Sequence, residues 1–256
     1  MPTFRRYIGI DYSGAKAPVS RLGQLQVYES RVGGEPSRIA PYDKGAKNWC
    51  RKEVARYVGE SLISKSNIIV GIDHGLSFPK SYFDRYNLKT WDEFLNYFAS
   101  KWETDRDHMY VDFARKKNKL KEKNTDYRLC ERWVPGTKSV FHFDVQGSVA
   151  KSTHAGLPWI KSLRADSEIR AATHFWPFDG FDVPKGKSVV VEIFPTLFRR
   201  RFSRGRRTTD EHDAYAVSAW LREMDRRGAL REYFNPPLTL PERQQVRLEG
   251  WVFGVR

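Results

Sequence analysis

A chain of 256 residues with 40% hydrophobic and 14% aromatic content can bury a core, which excludes wholesale disorder and fits one large domain with insertions or two modest ones. No run approaches the about 18 consecutive apolar residues that span a bilayer, so no membrane partner is expected. Lys and Arg number 45 against 31 Asp and Glu, and the resulting charge of +14 attracts polyanions, of which nucleic acid is the commonest in a cell.

The start, Met1 to Arg6, passes straight into an apolar strand with no secretory pattern, so a cytoplasmic location is expected. Arg6 to Asp11, RYIGID, reads as a strand closed by an acid. Gly23 to Ser30 alternates Leu25 and Val27 with polar residues, as a half-buried strand does, and Ser37 to Tyr42 reads as a third. From Asn48 to Ile63 the apolar positions Val54, Tyr57, Val58 and Leu62 recur at helical spacing. The continuous apolar run IIVGID, closing on Asp73, suits a central strand buried on both faces.

After Pro79 the character changes. Residues 81–183 are charged and aromatic, with Trp91, Phe94, Leu95, Phe98 and Trp102 at helical spacing and a basic run from Arg115 to Lys121. They read as a largely helical insertion between core segments 1–80 and 184–256. Trp91, Trp102, Trp133, Trp159 and Trp176, interleaved with Lys and Arg, suit either base stacking or a core. Cys50 and Cys130 are too few for a zinc cluster, and a cytosol keeps them reduced. The core resumes with Ser188 to Pro195, an apolar strand interrupted by Glu192, and a helix follows from Thr209, with Thr209 as its cap.

Asp11, Asp73 and Glu192 each interrupt or close a strand. Acids at the carboxyl ends of neighbouring strands converge on one edge, where α/β sheets commonly bind ligands. Clustered carboxylates repel one another unless a cation neutralises them, and Mg²⁺ and Mn²⁺ prefer such hard oxygen ligands. Alone, each acid also suits a cap or a turn. Asp210 and Asp213, three apart, share a helix face, and Ala214, Ala216 and Ala219 allow close packing on a sheet. Arg199, Arg200, Arg201, Arg204, Arg206 and Arg207 immediately precede this helix, placed to gather phosphates or simply to form a solvated loop.

The segments GIDYSGAK at 9–16, GIDHGLSFP at 71–79, VEIFPTL at 191–197, DEHDAYAVSAWL at 210–221 and EGWVFGV at 249–255 together resemble the domain-of-unknown-function 429 family of predicted nucleases. That family lies within the ribonuclease H-like superfamily, and the helix 210–221 also resembles the acidic helix of RuvC-type resolvases. The resemblance implies an α/β fold, a ribonuclease H-like mixed sheet flanked by helices, with acids on the first strand, the fourth strand and the last helix. It implies Asp11, Asp73, Asp210 and Asp213 as ligands of Mg²⁺ or Mn²⁺, with Glu192 nearby, and two-metal phosphodiester hydrolysis of DNA or RNA. One departure is Asp73, where the resolvases carry a glutamate. Lys16, His212 or His74 would orient water or phosphate. Two other readings stand beside it: a non-catalytic nucleic-acid-binding relic of this fold, and an actin- or sugar-kinase-like phosphotransferase, suggested by Asp73-His74-Gly75-Leu76-Ser77. No motif specifies an oligomeric state.

Overall fold

The apolar run Arg6–Asp11 forms β1, and the computed structural model places it near the middle of a mixed six-stranded sheet. The structure describes residues 3–118, 120–145 and 148–256; Met1 and Pro2 of the chain start, and Lys119 of the basic run, lie outside the described residues. The other strands are β2 (Gln26–Arg31), β3 (Ser37–Arg38), β4 (Ile68–Asp73), β5 (Thr173–Phe175) and β6 (Ser188–Glu192). Their order across the sheet is β3-β2-β1-β4-β6-β5. The pairs β3–β2 and β2–β1 are antiparallel, while β1, β4, β6 and β5 run parallel. The third strand stops after two residues, short of the expected Tyr42, and Pro41, which has no N–H to give to a ladder, is consistent with that.

Both faces of the sheet are covered, which explains the unbroken apolar runs of β4 and β6. On one face Ile8, Ile10, Val70, Ile72 and Val190 pack with helices α1 (Arg51–Leu62), α2 (Lys80–Arg85), α3 (Trp91–Lys101), α4 (Val111–Lys117) and α6 (Ala150–Ala165). Two shorter helices, α5 (Leu129–Trp133) and α7 (Ser167–Ala172), complete this stretch. Trp91, Trp102 and Trp176 are buried, Trp91 stacking on Phe178 and Trp102 on Phe98, so these rings are core and not exposed base platforms. Strand β5 falls inside the stretch expected to be helical and adds an edge to the sheet.

On the other face Tyr7, Ile69, Val189 and Val191 pack against α8 (Thr209–Arg226), α9 (Leu230–Phe234) and α10 (Leu240–Glu249). Thr208 caps α8, not Thr209: its Oγ1 accepts from Glu211 N at 3.2 Å, while its own N–H donates to the Glu211 carboxylate at 2.8 Å. The helix lies directly on the sheet because β1 and β4 offer it glycines. A Cβ on Gly9 would lie 2.2 Å from Ala214 O, and one on Gly71 would lie 2.8 Å from Val217 Cγ1. Gly9→Ala is therefore expected to destabilise the fold by at least about 1–3 kcal/mol, the usual cost of overpacking, because the opposing atom is backbone and cannot rotate away. Urea denaturation measures this, and an unchanged midpoint would refute the close approach.

Candidate functional site

Strands β1 and β4 are parallel neighbours in register, and the pairing Asp11↔Asp73 sets the two acids side by side at their carboxyl ends. Both point to the face that carries α8, since they share pleat parity with Gly9 and Gly71. From α8, Asp213 and Asp210 approach the same edge, close enough that each acts electrostatically on Asp11. The four acids are thus placed at one edge of the sheet, within electrostatic reach of Asp11. Neither Asp11 nor Asp73 has a hydrogen-bond or ion-pair partner for its carboxylate among the described residues.

Burial, then the negative charge of Asp73, Asp210 and Asp213, pushes Asp11 well above the ordinary aspartate range. Burial, with Asp213 and Glu192, pushes Asp73 up to about 8. Asp213 is also raised by burial, offset in part by Arg199. A raised carboxyl keeps its proton in the folded chain at pH values where the unfolded chain has released it. Each such group thus costs stability as pH rises from the ordinary aspartate range towards its folded value. In metal-free buffer, the stability difference between Asp73→Asn and wild type should grow in the variant's favour from about pH 4 to about pH 8, then level off. Urea melts across that range test it; a difference that is flat or shrinks with pH runs against the uncompensated charge.

Glu192 acts on Asp73 from a different face of the sheet. In the β4–β6 register it pairs with Ile72, not Asp73, so its side chain emerges on the opposite face of the sheet. There Arg128, 1% exposed, holds it with two bonds of 2.7 and 2.6 Å. Glu192 Oε2 also accepts from Leu76 N at 3.0 Å. Arg128 binds Glu131 at 2.9 Å as well, and its neighbour Leu129 donates its N–H to Glu249 at 2.7 Å. This buried network occupies Glu192 fully.

The arginines before α8 divide. Arg199 pairs with Asp213 at 2.8 and 3.2 Å, and Arg201 with Glu223 at 3.0 Å. Arg204 Nε donates to Arg207 O at 2.8 Å, and Arg207 stacks on Tyr215 at 3.7 Å. Arg200 and Arg206 are exposed, as is Lys16. His212 is buried, with Nε2 3.1 Å from Arg199 O, and burial lowers its pKa. His74 is buried edge-on against Tyr12, and burial pushes its pKa down to about 4. A neutral imidazole with Nδ1 2.9 Å from Gly75 O is anchored in place.

Sequence reading misses Arg51. It is fully buried and has no carboxylate partner among the described residues; its guanidinium donates to Ser13 O, Ala15 O and Lys16 O at 3.2, 2.6 and 2.8 Å. It thereby pins the loop that follows Asp11, in which Lys16 adopts a φ of 52°. Burial lowers the Arg51 pKa, so its charge is held at a cost that the three carbonyls offset. On the other side, Gly14 packs against the first turn of α6, where a Cβ would lie 2.0 Å from Lys151 O.

Among the described residues, no three His, Cys, Asp or Glu side chains stand converged for an ion. In donor chemistry the set still fits a hard divalent cation, since it is all carboxylate and two of its members lack any partner. No helix among the described residues is long and apolar enough to cross a membrane. No protein-family model, curated protein or solved structure matches the chain.

Proposed function

We propose that this chain is a divalent-metal-dependent nuclease of the ribonuclease H-like kind, hydrolysing phosphodiester bonds at the edge where β1, β4 and α8 meet. The observation that carries the reading is the in-register pair Asp11–Asp73, two unpartnered carboxylates facing the helix that brings Asp213. Acids on the first strand, the fourth strand and a late helix are the placement implied by the resemblance of the sequence segments. Asp11 and Asp73 would hold Mg²⁺ or Mn²⁺, with Asp210 and Asp213 alongside. A bound ion lowers the pKa of water and offsets charge at the scissile phosphate. The chain supplies the rest: Arg51 holds the loop after Asp11, and the exposed Lys16, Arg200 and Arg206 attract the phosphate backbone.

The test is incubation of the purified protein with single-stranded, duplex and branched DNA and with RNA, with Mn²⁺, with Mg²⁺ and with chelator. Cleavage of at least one substrate with metal, and none with chelator, is expected. Binding should be dominated by phosphate contacts, and about six of them cost about a thousandfold in affinity between 50 and 200 mM salt. A second reading, the non-catalytic binding relic, draws on the Arg199–Asp213 ion pair, which already neutralises one of the acids. It predicts salt-sensitive binding without cleavage of any substrate.

A further inference from the structure

Of the four acids grouped at the edge, Asp213 alone has a cationic side chain within ion-pair distance among the described residues. Arg199 Nη1 reaches both carboxylate oxygens of Asp213, at 3.2 and 2.8 Å. The contact is held from two sides. Arg199 begins a short 3₁₀ turn, Arg199–Arg201, and its carbonyl oxygen lies 3.1 Å from Nε2 of His212, the residue before Asp213. The guanidinium is therefore tethered to the first turns of the helix that presents the acid. Its charge also reaches Asp11 and Asp73. Neighbouring arginines face elsewhere, Arg201 to Glu223 and Arg207 to Tyr215, so this placement is particular to Arg199.

A guanidinium is a permanent cation with its donors in a planar fork, suited to bridging a carboxylate and a phosphate. The bonds to Asp213 use Nη1 and leave Nε and Nη2 for a second anion. We infer that Arg199 is the second cation of this centre, so that the acids take one divalent ion, on Asp11 and Asp73, while Arg199 keeps Asp213 and meets the substrate phosphate. The inference rests on the proposed nuclease reading and replaces the two ions implied by the sequence resemblance with one.

Equilibrium dialysis of the full chain against Mn²⁺, with circular dichroism as a folding control, tests it. Wild type should bind one Mn²⁺ per chain, and Arg199→Lys, which keeps the charge, should also bind one. Arg199→Gln should bind two, because Asp213 is released as a ligand; the Arg199 side chain is 36% exposed, so a folded variant is the expectation. Two ions on wild type, or a single ion on Arg199→Gln, overturns the role of Arg199 and leaves metal-dependent cleavage standing. A wild-type chain that binds no Mn²⁺ overturns both.

Discussion

Asp11→Asn should abolish Mg²⁺- and Mn²⁺-dependent cleavage while leaving the fold and nucleic-acid affinity nearly intact. The amide is isosteric with the carboxylate, and Asp11, at the end of β1, is paired with β2 on one side and β4 on the other, so the backbone has no reason to move. What disappears is the negative charge that, on the proposed reading, would hold the cation and so supply an activated water. The rate should fall by several powers of ten, on the order of 4 kcal/mol or more in barrier. Stability should rise, because Asp11 is pushed upward first by burial and then by three neighbouring aspartates, and the amide removes one member of that repulsive set. Loss of cleavage together with a higher urea midpoint is therefore the expected signature. A variant that cuts as fast as wild type sinks the nuclease reading. A variant that loses activity only because it unfolds shows instead that Asp11 supports the strand.

The largest stability effect is expected at a residue that touches none of the α8 acids. Arg128→Met should destabilise the fold by about 3–5 kcal/mol, the usual cost of removing one partner from a buried charge network. Its guanidinium is 1% exposed and holds Glu192 and Glu131 together, at 2.6 to 2.9 Å. Without it, two carboxylates remain buried, one of them in β6 at the centre of the parallel strands. The double variant Arg128→Met with Glu192→Gln should recover part of the loss, since one orphaned charge is then removed. Urea unfolding of the wild type, the two single variants and the double variant forms the thermodynamic cycle. A double variant no more stable than Arg128→Met would mean that packing, not charge, dominates the site.

How far these features can be read from the sequence depends on whether the signal is local. β1 and β4 are legible because a strand covered on both faces reads as an apolar run, and because each run stops at an acid. The helix carrying Asp213 is legible from its capping signal, although the cap is one residue earlier than expected. Glu192 is legible as an acid at a strand end but not as to its side of the sheet. That depends on the β4–β6 register, and a shift of one residue reverses the face. Arg128 and Arg51 are not legible at all. Nothing adjacent to either one separates a buried arginine from a surface one; only the tertiary fold brings Glu192 to the first and the 13–16 carbonyls to the second. β5 is hidden for a different reason: three residues give too short an alternation to stand out against the helix before it.

The bare backbone at Gly9 and Gly71 sets more than the seating of α8. Where β1 and β4 pass beneath α8 at Gly9 and Gly71, no side chain separates strand from helix, so the strand-end acids lie close under the helix that carries Asp213. Position 73 and positions 9 and 71 are then geometrically linked: a methyl group under the helix lifts Asp213 away, and a longer arm at 73 is the natural compensation. On the proposed metal-site reading, Gly71→Ala combined with Asp73→Glu should bind Mn²⁺ more tightly in equilibrium dialysis than Gly71→Ala alone, the two glycines acting as a spacer between the acids.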